Sequence, residues 1–193
     1  MTELSQVKIG FALTGSFCTF ERAFIQAEAL KQTGAEIIPI MSFNASSIDT
    51  RFGSAKDHIE RLESICNNKV IRTIEEAEPF GPKKMADIIV VCPCTGNTCA
   101  KLAMSITDSP VTMAVKSHIR NGNPVVIALA SNDSLAGSMK NLGLLMNMKN
   151  YYFVPFYQDD YNGKPTSAIC DFTRVQETIT AALNRKQLQP ILC

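Results

Sequence analysis

The sequence has almost no net charge. Its 193 residues include 19 Lys and Arg against 18 Asp and Glu, which gives a formal net charge of +1. So weak a field attracts neither nucleic acid nor an anionic membrane surface. We therefore expect no nucleic-acid partner and no membrane partner for this chain.

Targeting and membrane-spanning signals are also missing. The first residues lack the basic start and long apolar run of a signal peptide, and no apolar stretch reaches the roughly 20 residues that span a bilayer. The expectation is a cytoplasmic protein. Because 46% of the residues are hydrophobic and 19% are charged, the chain has ample material for a core. Its length fits one domain, residues 1–193.

Seven cysteines are present, but not in a pattern that binds metal. There is no CxxC pair, and His58 and His118 are not spaced to join a cysteine cluster, so we expect no metal site. Reduced thiols are the expectation.

Cys94 is the thiol expected nearest a ligand, since Cys92 falls in a strand and Cys99 on the apolar face of a helix. A redox role for Cys94 competes with core packing, the commoner use of a free cysteine.

Apolar runs and helical patterns alternate along nearly the whole chain. The runs show no alternation with polar residues, which is typical of strands buried on both faces of a parallel sheet. Strands that alternate with helices predict an α/β fold, here a three-layer, doubly wound parallel sheet of Rossmann-like type. The predicted strands are Val7 to Leu13, Ile37 to Met41, Asp87 to Cys92, Pro124 to Leu129 and Tyr151 to Phe156.

Local signals mark several helix boundaries. Gly34 is expected to end the first helix, and Ser109-Pro110 supplies an N-cap and a first helical residue. Thr173 is expected to open a capping box for the last helix. The other assignments are a helix over Ala55 to Cys66, a loop over Ser42 to Ser54, a helix that runs to about Asn147, and a helix with the apolar stripe Cys99, Leu102, Ala103 and Ile106.

Three loops are expected beyond the carboxyl ends of the strands, where such folds bind ligands: residues 14–17, 42–46 and 93–98. Thr14-Gly15-Ser16 offers hydroxyls, backbone N–H groups and a helix N-terminus, all of which favour phosphate. It has no P-loop lysine and no GxGxxG pattern, so a monophosphate is the ligand class that remains. The alternative is a tight turn with a Ser/Thr cap and no ligand.

The loop from Pro93 to Thr98 places a hydroxyl, a glycine, an amide and a second hydroxyl in consecutive positions. Asn97 offers both a donor and an acceptor, as the edge of a flat heteroaromatic ring requires. Thr95 and Thr98 can donate to phosphate or to ring carbonyls. The competing interpretation is that Asn97 or Thr98 only caps the following helix. Lys101, one turn further on, is either a solvated charge or a cation near an anionic ligand.

These loops carry a family resemblance. Pro93-Cys94-Thr95-Gly96-Asn97-Thr98 resembles the PASANT motif of the homo-oligomeric flavin-containing Cys decarboxylase family. Pro, Asn and the last Thr match, while Thr95 and Gly96 replace Ser and Ala. Thr14-Gly15-Ser16 resembles that family's FMN-phosphate turn, and Ser42 resembles its second hydroxyl contact to the flavin.

Longer stretches resemble one branch of this superfamily, the family of dipicolinate synthase B subunits. They include Ile106–Val111, Lys140–Met146 and Tyr152–Asp160, and the likeness extends from about residue 5 to the C-terminus. The resemblance implies the flavoprotein variant of the Rossmann-like fold. It also implies the cofactor-binding residues Thr14, Gly15, Ser16, Phe17, Ser42, Pro93, Cys94, Thr95, Gly96, Asn97, Thr98, Lys101 and Asn132.

The resemblance further implies a reaction. A member of this family is expected to work with the A subunit of dipicolinate synthase, a separate chain that binds NADP or NAD. Together they dehydrogenate a dihydrodipicolinate-type intermediate to dipicolinate during sporulation. This implies FMN on the present chain, a small dicarboxylate substrate, a homo-oligomer, and a place in the mother-cell cytoplasm. The candidate cations for the two carboxylates are Lys83, Lys84, Lys101, Lys116 and Arg120.

One departure separates this sequence from the decarboxylase branch. That branch is expected to carry a His shortly before the PASANT strand, where this chain reads Pro79-Phe80-Gly81-Pro82-Lys83-Lys84. His58 and His118 lie elsewhere and are expected on the surface or on helices. Asn97, suited to orient a ring, is the only catalytic candidate, and no general base can be named. A non-catalytic flavin-binding or scaffold subunit stays open as an alternative, followed by an FMN-dependent decarboxylase.

Overall fold

The computed structural model describes residues 4–193 and contains a seven-stranded, mostly parallel sheet with helices packed on it. The predicted α/β class is confirmed. The strands are β1 (Lys8–Leu13), β2 (Glu36–Met41), β3 (Ile88–Cys94), β4 (Val125–Ser131), β5 (Tyr151–Phe153), β6 (Phe156–Tyr157) and β7 (Ala168–Cys170). The helices are α1 (Phe20–Gln32), α2 (Phe43–Ser47), α3 (Ala55–Cys66), α4 (Ile74–Ala77), α5 (Gly96–Ala103), α6 (Pro110–Ile119), α7 (Met139–Asn147) and α8 (Val175–Leu183).

The parallel part of the sheet has the order β2-β1-β3-β4-β5. The chain leaves β1 for β2 on one side, whereas β3 and the strands after it lie on the other side. Such a reversal opens a crevice beyond the carboxyl ends of the two central strands. The loops that follow Leu13 and Cys94 therefore meet at this point.

The strands form where the sequence has apolar runs, because both faces of the sheet are covered. All seven residues of β3 are buried, as are five of the six residues of β1. α1 contacts α3 and α8, whereas α6 contacts α4 and α5, and α5 contacts α7. These two groups of helices make the outer layers, as crossovers to either side of β1 require.

Several predicted boundaries are confirmed. α3 spans the predicted residues, and Ser109 caps α6 in a capping box with Pro110 as the first helical residue. Gly34 follows α1 with a φ of 86°, the left-handed conformation that favours glycine after a helix. Ser42 caps the short helix α2, which was predicted as loop, by accepting from the N–H of Ala45 at 3.3 Å.

The end of the sheet differs from the prediction of one strand over residues 151–156. Pro155 has no N–H to donate, and the chain divides there into β5 and β6. β7 was not predicted. It pairs antiparallel with the last two residues of β4, through Ala130↔Ile169 and Ser131↔Ala168, and with β6. β4 thus pairs with β5 near its start and with β7 at its end.

Two helix predictions are wrong in detail. α5 ends at Ala103, because Ser105 has a φ of 58°, and Ile106 is 46% exposed instead of facing the core. α8 begins after Arg174 and has no side-chain cap. The N–H of Thr173 instead donates to Asp171, which caps the preceding single turn of 3₁₀ helix, so Thr173 does not open a capping box.

Both histidines lie on helices, His58 on α3 and His118 on α6, which is one of the two expected locations, and both are buried. His58 is 7% exposed and His118 is fully buried. Burial lowers the pKa of both, that of His118 to about 4. Over residues 4–193, no helix is both long and apolar enough to cross a membrane.

Candidate functional site

Thr14 joins the loops that follow β1 and β3. Its hydroxyl donates to the carbonyl of Pro93 at 2.8 Å and accepts from the N–H of Thr95 at 3.0 Å. The residue is 1% exposed. Thr14 and Pro93 therefore hold the two loops together and line neither of the cavities beside them.

Two adjoining cavities lie at this end of the sheet and share Gly15, Thr95 and Asn97. The small cavity, of about 350 Å³, is also lined by Ser42, Phe43, Asn44, Thr98, Lys101, Asp108 and Ser109. The large cavity, of about 620 Å³, is also lined by Ser16, Phe17, Cys18, Arg51, Phe52, Gly96, Asn132, Asp133, Asp159, Lys164 and Ser167. Ten of the thirteen predicted site residues thus line one cavity or both, and Thr14, Pro93 and Cys94 do not.

Asn97 is positioned at the start of α5 but does not cap it. The cap is Thr95, whose hydroxyl accepts from the N–H of Thr98 at 3.2 Å and lies 3.0 Å from the Thr98 hydroxyl. The interpretation of Asn97 or Thr98 as the cap is therefore wrong. Within residues 4–193 the Asn97 carboxamide has no hydrogen-bond partner, and the residue is exposed where the cavities meet. Its donor and acceptor are both available to a ligand.

The small cavity offers hydroxyl donors and a neutralised cation. The hydroxyl of Ser42 accepts one bond as an N-cap and keeps its own O–H to donate. Lys101 lines the cavity, but its ammonium contacts both carboxylate oxygens of Asp108 at 2.9 Å. Lys101 is thus neither a simple solvated charge nor a free cation for an anionic ligand.

Asp133 forms a small network on the wall of the large cavity. Its carboxylate accepts from Ser131 at 2.6 Å and from Ser138 at 2.8 Å. Hydrogen bonds from Ser131 and then from Ser138 lower the pKa of this carboxyl. A Cβ at Gly96 would lie 2.6 Å from each serine oxygen and 2.7 Å from Asp133. Glycine at this position therefore lets the network pack directly against the first turn of α5.

The structure also corrects the prediction for the thiols. Cys94 is the last residue of β3, fully buried, with its sulfur 3.5 Å from that of Cys99. Burial, followed by the hydrogen bond with Cys99, raises the pKa of the Cys94 thiol well above its ordinary value. The thiol that does reach the large cavity is Cys18, which is exposed.

Most of the predicted cations lie away from the site. Lys83, Lys84, Lys116 and Arg120 line neither cavity, and Lys116 belongs to a separate surface cavity with Lys149. Two other cations, Arg51 and Lys164, line the large cavity. Sequence reasoning missed both because they lie on separate loops, residues 48–54 before α3 and residues 158–167 between β6 and β7, where an exposed cation looks the same whether or not it faces a ligand.

Comparison with known proteins assigns this chain to a family. The flavoprotein family matches residues 1–184. The chain belongs to the flavoprotein family. This flavoprotein is 45% identical over 192 residues to the B subunit of dipicolinate synthase from Bacillus subtilis (strain 168), covering all of this chain and 96% of that protein. The predicted relationship to that family of subunits is confirmed.

Solved structures agree with this relationship. The crystal structure of the dipicolinate synthase B subunit from Bacillus halodurans matches this flavoprotein with a TM-score of 0.91 and 39% identity, covering 100% of this chain and 98% of that one. The FMN-dependent cysteine decarboxylase SpaF matches with a TM-score of 0.68 and 22% identity, covering 94% and 97% of the two chains. That second likeness shows a shared fold alone.

Among residues 4–193 no group of three or more His, Cys, Asp or Glu side chains is placed to hold a metal ion. The two histidines do not line either cavity. The polar groups of the site are therefore hydroxyls, amides, carboxylates and the cations Arg51, Lys101 and Lys164.

Proposed function

We propose that this flavoprotein is the B subunit of a dipicolinate synthase. In this proposal it works with a nicotinamide-binding A subunit to dehydrogenate a dihydrodipicolinate-type intermediate to dipicolinate. The observation that carries the proposal is the junction of two cavities at Gly15, Thr95 and Asn97. A cofactor in the small cavity would face a substrate in the large one. The 45% identity to a dipicolinate synthase B subunit supports the same function.

The donor set of the small cavity fits FMN. Its phosphate needs N–H and O–H donors, which the turn at Gly15 and the hydroxyls of Ser42 and Thr98 can supply. Its flat ring needs a group with both a donor and an acceptor, and the unpartnered carboxamide of Asn97 lies where the cavities meet. Because Asp108 neutralises Lys101, we assign phosphate binding to neutral donors. FMN-dependent relatives of this fold favour the same cofactor.

The reaction requires removal of a hydride and a proton from a ring that becomes an aromatic pyridine. Bound flavin supplies a two-electron acceptor for the hydride. The residues of the chain would hold the flavin ring at the junction of the two cavities, with Asn97 at its edge, so that the substrate ring in the large cavity faces it. No residue is assigned as the proton acceptor.

Decarboxylation is less favoured by the site. The decarboxylase branch is expected to use a His, and neither His58 nor His118 lines either cavity. If the chain were a non-catalytic subunit, the isolated A subunit would form dipicolinate at the full rate.

We also propose a homo-oligomer that acts in the mother-cell cytoplasm. Exposed apolar side chains support an assembly: Met104 is 63% exposed, Ile106 46% and Leu144 49%. The stretch from Leu142 to Met148 serves both core and surface: Leu142 and Leu145 are buried, whereas Leu144, Met146 and Met148 are exposed.

Two experiments test the proposed function. The purified chain is expected to be yellow, or to quench the fluorescence of added FMN; a colourless protein that leaves the fluorescence unchanged contradicts the flavin assignment. The second experiment combines the chain with its A subunit, nicotinamide cofactor and the dihydrodipicolinate precursor. Dipicolinate formation is expected only when both chains are present. Full activity of the isolated A subunit would show that this chain is not catalytic.

A further inference from the structure

We propose that Arg51 and Lys164 are the specificity-determining residues of the large cavity, where each binds one carboxylate of the substrate. The inference rests on the proposed function, because it assumes that this cavity takes a small dicarboxylate. It replaces the cations expected from the sequence, of which only Lys101 reaches either cavity, where it is already paired with Asp108.

Arg51 is carried by a closed turn between α2 and α3. The backbone N–H of Thr50 donates to Gly53 at 3.0 Å, and that of Gly53 donates back at 3.1 Å. The Arg51 guanidinium lies over the ring of Phe52, 4.9 Å from its centroid. Stacking occupies the face of the guanidinium and leaves its in-plane N–H groups free for a carboxylate.

The Arg51 turn rests on a buried histidine. Gly53 has a φ of 133°, and a Cβ there would lie 2.7 Å from the ring of His58. His58 packs in turn against Phe20, with ring centroids 4.9 Å apart. The base of the turn is therefore fixed by the core, while its tip, at Arg51 and Phe52, lies on the wall of the large cavity.

Lys164 lies in the loop between β6 and β7, which is braced at several points. The amide of Gln158 donates to the carbonyl of Pro165 at 2.7 Å, and the Ser167 hydroxyl donates to Asp159 at 2.6 Å. The Thr166 hydroxyl reaches the carbonyl of Asn132 at 2.8 Å. The loop is thus tied to the segment that carries Asp133, and Lys164 is held at the cavity.

The two acids on the same wall, Asp133 and Asp159, stay charged, but among residues 4–193 neither forms an ion pair with Arg51 or Lys164. Asp133 is engaged by two serine hydroxyls and Asp159 by one. Within residues 4–193 neither Arg51 nor Lys164 forms an ion pair or a side-chain hydrogen bond. Two cations without an ion-pair partner, on separate segments of one cavity, supply one charged group for each carboxylate of a pyridine dicarboxylate.

The test measures binding of pyridine-2,6-dicarboxylate and pyridine-2-carboxylate to the full chain in the presence of FMN, by isothermal titration calorimetry. The wild-type chain is expected to bind pyridine-2,6-dicarboxylate more tightly than pyridine-2-carboxylate. Arg51→Gln and Lys164→Gln are each expected to weaken dicarboxylate binding by about 10- to 100-fold and to reduce its advantage over the monocarboxylate. Arg51→Lys, which keeps the charge, is expected to recover part of the affinity.

Matched controls remove a charge elsewhere. Arg72→Gln and Lys149→Gln change exposed residues that line other cavities. The dissociation constants of these two variants for the dicarboxylate should stay within about twofold of the wild-type value. Circular dichroism checks that each variant is folded. If the Arg51 and Lys164 variants bind the dicarboxylate as wild type does, the inference is overturned and the proposed function stands. If wild type binds FMN but neither pyridine acid, the proposed substrate class fails, and the inference fails with it.

Alkylation of Cys18 locates the bound ligand. Cys18 lines the large cavity, and Cys193, which is also exposed, lines neither cavity. The dicarboxylate is expected to slow alkylation of Cys18 by iodoacetamide, measured by mass spectrometry, and to leave Cys193 unchanged. Protection should be lost in Arg51→Gln. Dicarboxylate binding without protection of Cys18 would place the ligand elsewhere and overturn the assignment.

Discussion

The hydroxyl oxygen of Thr14 lies 3.0 Å from the backbone nitrogen of Thr95, 81 residues further along the chain. The same hydroxyl donates to Pro93. The loops that follow the two central strands of the sheet are therefore joined at one buried side chain. Both cavities are built on these loops, so their shape depends on a residue that lines neither of them.

Thr14→Val is expected to lower the free energy of unfolding by about 1–3 kcal/mol, because it leaves the N–H of Thr95 and the carbonyl of Pro93 without this partner. The affinity for FMN should also fall, because both cavities are built on the two loops that Thr14 joins. Urea unfolding and FMN titration measure the two effects. Thr14→Ser keeps the hydroxyl and should retain most of the stability. Thr180→Val, at a half-buried position on α8, removes a hydroxyl that donates only to Gln176 in the same helix. It should change stability by no more than about 0.5 kcal/mol; an equal loss there would contradict the assignment.

Asn97→Ala and Thr95→Ala are expected to separate binding from capping. The Asn97 carboxamide has no partner within residues 4–193, so its loss should leave stability within about 0.5 kcal/mol of wild type while FMN binding and dipicolinate formation fall. Thr95→Ala removes the N-cap of α5 and should cost about 1 kcal/mol. Thermal unfolding and FMN titration distinguish the two. A stability loss in Asn97→Ala with unchanged activity would assign it a structural role.

Gly96→Ala is expected to disrupt the Asp133 network, because the new methyl would meet three of its oxygen atoms at 2.6–2.7 Å. The overpacking should lower the free energy of unfolding by about 1–3 kcal/mol. The higher helix propensity of Ala offsets at most about 1 kcal/mol of that loss. The penalty should be smaller in an Asp133→Ala background, where the two serines are free to rotate. A double-mutant cycle in urea measures this coupling, and strictly additive effects would contradict it.

His118 is expected to make stability fall as the medium becomes acidic. Burial lowers the pKa of His118 to about 4, with its Nε2 3.1 Å from the carbonyl of Pro124. The pKa of an unfolded His is about 6.5. At a pH between about 4 and 6.5, His118 therefore binds a proton in the unfolded chain but not in the native chain. Stability should therefore decrease by about 2 kcal/mol from about pH 7 to pH 5.

The matched variant for this pH dependence is His118→Gln, which does not titrate and keeps a donor toward Pro124. Its urea midpoint should depend less on pH in this range than that of wild type. His58 remains in both proteins, so its own lowered pKa contributes equally. Identical pH profiles for the two proteins would rule out His118 as the source.

Much of the fold follows from features that the sequence displays locally. β1 and β3 are continuous apolar runs, α3 has the predicted ends, and Ser109 has the predicted cap. β7 could not be predicted, because three residues are too few for a period to appear, and its pairing with β4 depends on contacts far apart in the chain. Pro155 was visible in the sequence, but the division of the strand around it was not anticipated.

The site was predictable only where its residues lie in one loop. The segment from Thr95 to Thr98 reaches the junction of the two cavities as expected. Cys94 turns into the core because it is the last residue of a strand buried on both faces. Arg51 and Lys164 carry no local signal, since an exposed cation in a loop looks the same whether it faces a ligand or bulk water.

The antiparallel pairing of β7 with the end of β4 has a consequence for how this protein can change over evolutionary time. β6, the loop over residues 158–167 and β7 form a hairpin that supplies Lys164 to the large cavity. The small cavity takes its lining from other parts of the chain. Insertions or replacements in the hairpin can therefore alter which substrate is accepted while the cofactor half of the site stays intact, which makes the hairpin the natural place to graft a new specificity onto this scaffold.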